Sequence, residues 1–226
     1  MTSRDLLPPP VLQRVAHVRE RIARAAERSG RPPSDVTLIA VSKTWPAQAV
    51  SDVLAAGISD FGENRVQEGV AKAAELAGEP IRWHLIGHLQ TNKVRAALGT
   101  FAILHSVDSE RLLRAISAAA SAPVPLMIEV NVAAEPTKEG VPPAEVAPLL
   151  RVAAGLPHLD VQGLMTVAPH VADASEVRPV FRQLRELAHA NGLRELSMGM
   201  TNDYEVAIEE GATFVRVGRA IFGERA

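Results

Sequence analysis

The chain of 226 residues contains no cysteine. This absence excludes disulfide bonds, thiolate metal sites and cysteine nucleophiles. An excess of charge of one sign is also missing, because 24 Lys and Arg residues are balanced by 26 Asp and Glu residues. A near-neutral chain without a basic block is not expected to bind nucleic acid or an anionic membrane surface.

Long hydrophobic runs are absent as well. No apolar stretch is long enough to span a bilayer, and residues 1–10 lack the unbroken apolar core of a secretory signal. We therefore expect a cytoplasmic protein with no membrane partner. Hydrophobic residues make up 47% of the chain, which is enough for one sizeable core. Because no linker or internal repeat marks a boundary, residues 1–226 are predicted to form a single domain.

Short apolar segments alternate with amphipathic helical segments along most of the chain. The apolar segments are nearly continuous rather than alternating, which is typical of parallel strands buried on both faces. The predicted strands are residues 37–42, 60–62, 81–86, 101–107, 125–132, 160–167, 195–198 and 213–217. Eight strands that alternate with helices predict an α/β fold, a (β/α)8 barrel of the TIM type. A doubly wound open sheet is the alternative.

An extra helix is predicted before the first strand. Val11, Val15, Val18 and Ile22 recur at helical spacing, and Gly30 ends the segment. Little chain follows the eighth strand, so the helix after that strand must be short. We expect the N-terminal helix to cover the part of the barrel that a full eighth helix would cover.

A lysine stands at the C-terminal end of the first predicted strand. In a TIM barrel the functional face is the C-terminal end of the strands, so Lys43 should lie at the functional site. Partial burial would make its amine nucleophilic, and such an amine can form an imine with an aldehyde. For this residue taken alone, an ordinary solvated lysine is the alternative.

Two loops near the C-terminus carry small residues, hydroxyl groups and backbone amides. One follows the seventh strand and begins at Ser197, and the other follows the eighth strand and runs from Arg216 to Arg219. These are the loops that usually hold a phosphate in this fold. Helix capping is the alternative role for Ser197 and Thr201. A lysine and a phosphate site on one face together indicate a phosphorylated aldehyde as the ligand.

A metal site is not expected. His84 and His88 are four residues apart, which would suit a metal ion on a helix. Here a strand end and a glycine separate the two histidines, so the helical geometry is absent.

Several motifs occur in a fixed order between about residue 36 and residue 224. They are Leu38-Ile-Ala-Val-Ser-Lys-Thr44, Phe61-Gly-Glu-Asn64, Trp83-His-Leu-Ile-Gly87 with Leu89-Gln-Thr-Asn-Lys93, Gly163-Leu-Met-Thr166, Ser197-Met-Gly-Met200 with Asp203, and Arg216-Val-Gly218 with Ile221-Phe-Gly223. In these motifs the chain resembles the pyridoxal phosphate homeostasis protein family, also called proline synthase co-transcribed proteins. The same barrel type, fold type III, occurs as the N-terminal domain of alanine racemases.

The resemblance implies a cofactor and the residues that bind it. Pyridoxal 5′-phosphate would be held by Lys43 as an internal aldimine, and Arg216 would face the pyridine nitrogen. The phosphate would be bound by Ser197 and by backbone amides near Gly199, Gly218 and Arg219, and the cofactor would be lined by Asn64, His84 and Met165. Because an arginine keeps its proton, the pyridine nitrogen would stay unprotonated, which makes the ring a poorer electron sink.

Two positions depart from the pattern of the family. Trp45 stands where many relatives have a second lysine, and His88 stands where many have proline. The first departure argues against a secondary cofactor site that uses this lysine.

Three functions are compatible with these residues. The favoured one is a monomeric protein of vitamin B6 homeostasis that binds pyridoxal phosphate and delivers it to apo-enzymes. The second is a weak amino-acid racemase or decarboxylase. Racemases of this fold need a second base, which is a tyrosine from a separate C-terminal domain. Such a domain is not expected here, because the sequence ends just past the eighth strand. Tyr204 is the one tyrosine in the chain, and we expect it on the phosphate side. The third is a Schiff-base aldolase acting on phosphosugars.

Overall fold

The computed structural model describes residues 9–224. Within this span eight parallel strands close into a barrel in which each strand pairs with the next and β8 pairs with β1. The strands are β1 Thr37–Val41, β2 Asp60–Glu63, β3 Arg82–Leu85, β4 Ile103–Val107, β5 Val124–Glu129, β6 Leu159–Met165, β7 Glu195–Met200 and β8 Phe214–Val217. The predicted barrel is confirmed, because pairing of the first strand with the last excludes an open sheet.

Helices surround the barrel. They are α1 Pro9–Arg28, α2 Ala47–Ala55, α3 Val66–Glu75, α4 Val94–Leu98, α5 Glu110–Ala119, α6 Val146–Ala154, α7 Arg178–Ala190, α8 Tyr204–Glu209 and α9 Arg219–Phe222. None of the helices between residues 9 and 224 is long and apolar enough to cross a membrane. The prediction that residues 1–10 are not a secretory signal concerns a segment of which residues 1–8 lie outside the described residues.

The N-terminal helix packs where the last helix is short. The guanidinium of Arg14 in α1 donates a hydrogen bond to the carbonyl oxygen of Ile221 in α9 at 2.6 Å. Further along α1, Arg21 donates to Glu205 in α8 at 2.6 Å. Since α9 has only four residues, α1 covers the side of the barrel that a longer helix would otherwise cover, as expected from the sequence.

The seventh strand is longer than its sequence indicates. It extends to Met200, whereas the prediction ended at residue 198. The reason is Gly199, which has a φ of 93°. A glycine in a strand pattern indicates a turn or an irregularity. Here the register between β7 and β8 shifts between Ser197 and Met200, and the strand continues past the glycine. This difference moves the start of the following loop by two residues.

The barrel interior is partly apolar and partly polar. Its apolar part is a cluster of five buried residues, Ile39, Ile103, Met127, Met165 and Phe214. Its polar part contains His84, His105, Ser197 and Arg216, all of them buried. A larger hydrophobic core lies between the strands and the surrounding helices. The polar residues in the interior therefore need hydrogen-bond partners from one another or from the backbone.

Candidate functional site

A cavity of about 650 Å³ opens at the C-terminal ends of the strands. This volume is in the usual range for small-molecule sites. Of the residues proposed from the sequence, the cavity is lined by Lys43, Asn64, Arg216, Gly218 and Arg219. These residues come from the ends of β1, β2 and β8, and the loops after β6 and β7 complete the wall. An amine, a guanidinium and two loop segments thus meet in one space.

Lys43 lies in a tight turn at the end of β1. The carbonyl oxygen of Ser42 accepts a hydrogen bond from the backbone N–H of Trp45 at 3.0 Å. Thr44, the third residue of the turn, has a φ of 69°. A positive φ at this position is the mark of a type II turn, which usually has glycine there. The half-buried side chain of Lys43 and the ring of Trp45 both line the cavity.

Trp45 stands at the position where the family resemblance implies a second lysine. Its ring stacks on Phe222 of α9, with ring centroids 5.8 Å apart and an interplanar angle of 23°. The indole therefore ties the turn after β1 to the short helix after β8, and it supplies an apolar wall in place of an amine.

The loops after β7 and β8 form the part of the cavity next to the end of β1, since β8 pairs with β1. A Cβ atom at Gly199 would lie 2.6 Å from the Cβ of Ala207 and 2.9 Å from the Cα of Tyr204, so only glycine lets the end of β7 pack against α8. The guanidinium of Arg219 donates to the side-chain oxygen of Asn202 at 2.9 Å and thereby connects the two loops. Backbone amides and a cation close together make this region suitable for an anion.

The structure separates Ser197 from this anion-binding region. Ser197 is fully buried in the barrel interior. Its Oγ accepts a hydrogen bond from Nη1 of Arg216 at 2.6 Å and lies 2.9 Å from Nδ1 of His105. It does not line the cavity, whereas Thr201 does. From the sequence, Thr201 already falls in the loop after the seventh strand, but the phosphate contact was expected at Ser197.

A continuous chain of hydrogen bonds crosses the barrel interior beneath the cavity. We call it the polar chain, and it consists of Asp60, His84, His105, Ser197 and Arg216. Nε2 of His84 lies 2.8 Å from Oδ1 of Asp60, and Nδ1 of His84 lies 3.0 Å from Nε2 of His105. The remaining two links join His105 to Ser197 and Ser197 to Arg216. The chain thus connects the N-terminal end of β2 with the cavity.

If both imidazoles are neutral, the ends of the polar chain fix the direction of every hydrogen bond in it. A guanidinium can only donate and an ionised carboxylate can only accept. Arg216 therefore donates to Ser197, Ser197 to His105, His105 to His84, and His84 to Asp60. Each imidazole then carries its proton on Nε2 and accepts at Nδ1. This assignment requires both histidines to be neutral.

The electrostatics of the interior agree with neutral imidazoles. Burial lowers the pKa of His105 well below its usual value, and the neighbouring His84 and Arg216 lower it further. Burial also lowers the pKa of His84, although the hydrogen bond with Asp60 acts in the opposite direction. For Asp60, burial raises the pKa, but the hydrogen bond with His84 and the charge of Arg82 outweigh it, so the net pKa is lowered.

Arg216 is held rigidly at the cavity. Its side chain is 4% exposed, and Nη2 donates to the carbonyl oxygen of Thr166 at 2.8 Å. Burial lowers the pKa of Arg216 to about 10, so the group is still protonated at neutral pH. The buried carboxyl group of Glu129 interacts with the charge of Arg216. Burial raises the pKa of Glu129 to about 7, although the charge of Arg216 acts in the opposite direction. A fixed, protonated guanidinium can donate to a neutral ligand atom.

The other proposed residues lie beside or beneath the cavity. His84 belongs to the polar chain, and Met165 belongs to the apolar cluster of the interior with 1% exposure. Neither side chain lines the cavity. His88 does not approach His84; it is exposed, and its Nδ1 lies 3.6 Å from Asp108 and 3.8 Å from Glu139. The two histidines thus do not converge on one metal position.

Comparison with known proteins identifies the family. The family described as alanine racemase, N-terminal domain, matches residues 14–226. The pyridoxal phosphate homeostasis protein of Aquifex aeolicus is 42% identical over 222 residues, which cover 94% of this chain and 97% of that protein. The chain belongs to the pyridoxal phosphate homeostasis protein family. The family resemblance seen in the sequence motifs is confirmed.

Solved structures of the family and of its wider fold agree with the barrel. PipY of Synechococcus elongatus PCC7942 with PLP bound is 42% identical, has a TM-score of 0.75, and is matched over 91% of this chain and 100% of PipY. Alanine racemase from Corynebacterium glutamicum is 18% identical with a TM-score of 0.70, over 95% of this chain and 61% of the racemase. At that identity the likeness shows the fold alone, and it confirms the barrel expected for the homeostasis protein family.

Proposed function

We propose that this chain binds pyridoxal 5′-phosphate and holds it covalently at Lys43, as part of vitamin B6 homeostasis. One observation carries the proposal: a single cavity brings together the Lys43 amine, the fixed guanidinium of Arg216 and the loops after β7 and β8. These groups match the aldehyde, the ring nitrogen and the phosphate of the cofactor. Membership of the family and the PLP in the PipY structure support it.

The residues of the cavity fit the separate parts of the cofactor. Thr201, Gly218 and Arg219 would hold the phosphate, because they supply a hydroxyl, a backbone amide without a side chain above it, and a cation. Arg216 would donate to the ring nitrogen, and Asn64 would line the ring. When bound, the cofactor supplies an aldehyde that reacts with amines and a ring that withdraws electrons. Ser197 and His84 would support Arg216 through the polar chain, and Met165 would support the cavity floor by packing.

Storage and release explain this cavity better than efficient catalysis. A protonated arginine at the ring nitrogen leaves that nitrogen unprotonated, so the ring withdraws electrons weakly. Tyr204 is the one tyrosine in the chain. It is 1% exposed in the first turn of α8 and does not line the cavity, so its hydroxyl is poorly placed as a second base. We therefore propose delivery of the cofactor to apo-enzymes as the role.

One copy of the chain would suffice for binding. All the cavity residues named above come from a single barrel, so we propose that residues 1–226 act as one binding unit and that a monomer is functional. A monomer would elute at the size of a 24.1 kDa chain in size-exclusion chromatography with light scattering.

The test is to locate the bound cofactor in the unaltered protein. The protein is mixed with pyridoxal 5′-phosphate, reduced with borohydride, digested and analysed by mass spectrometry. We expect an imine absorbance before reduction and a pyridoxyl group on the peptide that contains Lys43. Attachment at a different residue, or no attachment, would contradict the proposal.

The same preparation tests the alternative functions. Incubation with single L-amino acids and chiral analysis would show a racemase if turnover well exceeded that of free pyridoxal phosphate. An aldolase would instead be trapped by borohydride with a phosphosugar in the absence of any chromophore. We expect neither result.

A further inference from the structure

A buried charged cluster lies behind the turn that carries Lys43. We call Glu63, Glu68 and Lys72 the Lys72 cluster. Nζ of Lys72 donates to Oε1 of Glu63 at 2.7 Å and to Oε1 of Glu68 at 2.8 Å. Lys72 is 5% exposed and Glu63 is fully buried, although both are charged residue types. Burial of charged side chains costs free energy even when they are paired. A structural or functional role would explain why this cluster is buried.

The Lys72 cluster contacts the backbone on both sides of Lys43. Before it, Nζ of Lys72 donates to the carbonyl oxygen of Ser42 at 2.7 Å, and Oγ of Ser42 donates to Glu63 at 2.6 Å. After it, the carboxylate of Glu68 accepts a hydrogen bond from the backbone N–H of Thr44. One ionic group thus holds the residues immediately before and after the proposed reactive lysine.

The turn needs such support because its backbone is strained. Thr44 has a φ of 69°, and a β-branched residue in the left-handed region is an outlier. Conformations of this kind persist only when the surroundings determine them strongly. The hydrogen bond from the Thr44 N–H to Glu68 is to a charged acceptor, and such bonds are stronger than neutral ones. Together with the bond between Trp45 and Ser42, it fixes the turn in one conformation.

We propose that the Lys72 cluster positions the amine of Lys43 for reaction with an aldehyde, with Glu68 and Lys72 as positioning residues. The inference rests on the proposed function of Lys43. Without the cluster, Thr44 would relax toward negative φ, the turn would change its conformation, and the Lys43 side chain would leave the cavity wall for part of the time. The amine would then react more slowly, because reaction depends on a held geometry.

The experiment compares three variants of one helix. Glu68→Ala removes the acceptor for the Thr44 N–H, and Glu68→Gln keeps a neutral oxygen acceptor there. Glu75→Ala is the matched control, because Glu75 is an exposed residue at the end of the same helix. Two quantities are measured. Hydrogen exchange at the Thr44 amide is followed by NMR in the ligand-free protein, and the rate of pyridoxal 5′-phosphate capture is followed by imine absorbance.

In Glu68→Ala we expect the Thr44 amide to exchange roughly tenfold faster or more, since a hydrogen bond to a charged group is lost. We expect capture of the aldehyde to be slowed roughly tenfold, with borohydride mapping still on Lys43. Glu68→Gln should recover most of both rates, and Glu75→Ala should match the unaltered protein. Urea unfolding of each variant verifies that the barrel is folded under the conditions of the assay.

The outcomes separate this inference from the function on which it rests. If Glu68→Ala gives the same exchange and capture rates as Glu75→Ala while the pyridoxyl group maps to Lys43, the positioning role is overturned and the proposed function stands. If the pyridoxyl group in the unaltered protein maps to another residue, the proposed function fails, whatever the exchange at Thr44 shows.

Discussion

Replacement of Ser197 by alanine distinguishes a structural role of this hydroxyl from direct contact with the cofactor. In the polar chain, Ser197 accepts from Arg216 and donates to His105, and these partners are 4% and 0% exposed. Ser197→Ala leaves a guanidinium N–H and an imidazole nitrogen buried without this partner. Each unsatisfied buried group costs about 1–3 kcal/mol. We therefore expect the free energy of unfolding of the ligand-free protein to fall by roughly 2–6 kcal/mol.

The assay is urea unfolding followed by circular dichroism, together with a titration with pyridoxal 5′-phosphate. Thr201→Ala is the matched control, because Thr201 lines the cavity and is half-buried. We expect it to weaken cofactor binding and to leave the unfolding midpoint nearly unchanged. If Ser197→Ala instead unfolded at the midpoint of the unaltered protein and lost only cofactor affinity, the polar chain would not be the main role of Ser197. The direct phosphate contact implied by the family resemblance would then be supported.

Three further measurements follow from the interior of the barrel. Burial raises the pKa of Glu129 from 4.5 to about 7. Between these pH values the folded protein retains a proton that the unfolded chain releases, so the free energy of unfolding falls as pH rises. In urea unfolding at several pH values, Glu129→Gln should remove this pH-dependent loss of about 3 kcal/mol. Long-range ¹H–¹⁵N NMR should show His84 and His105 neutral with the proton on Nε2 at pH 7, and a charged ring would contradict the assigned directions. Gly199→Ala should destabilise the protein by about 1–3 kcal/mol in thermal or urea unfolding, because its Cβ would lie 2.6 Å from that of Ala207 at a φ of 93°.

The fold could be predicted because its signals are local. Near-continuous apolar runs identify buried parallel strands, and helix-ending residues identify the boundaries between elements. The eight predicted strands overlap the eight observed ones. The largest difference is at the end of β5, which was predicted to reach residue 132 and ends at Glu129, and β7 differs by two residues at its end. At Gly199 the strand passes through a left-handed residue, which a sequence pattern treats as a turn. Ser197 therefore lies in the barrel interior, and Thr201 is the hydroxyl of this segment that lines the cavity.

The polar chain could not be predicted because its members are distant in sequence. Asp60 is separated from His84 by 24 residues, and His105 from Ser197 by 92 residues. Their hydrogen bonds exist only because the barrel closes. Lys72 gave a partial signal, since it falls on the same helical face as the buried residues Val66 and Gly69. A lysine on a buried face indicates a paired charge, and the helical period gives Glu68, four residues earlier, as one partner. It does not give Glu63 of β2, which is the second partner.

The two networks lie on opposite faces of the same strand. Side chains alternate between the two faces of a strand, so Asp60 of β2 points into the barrel interior, where it meets His84, while Glu63 points outward to Lys72 of α3. The polar chain supports Arg216 from inside the barrel, and the Lys72 cluster supports the Lys43 turn from outside it. The hydrogen bonds of the two networks share no residue. We therefore expect loosening of the turn to leave Arg216 in place, so that the proposed covalent contact at Lys43 can change independently of the guanidinium.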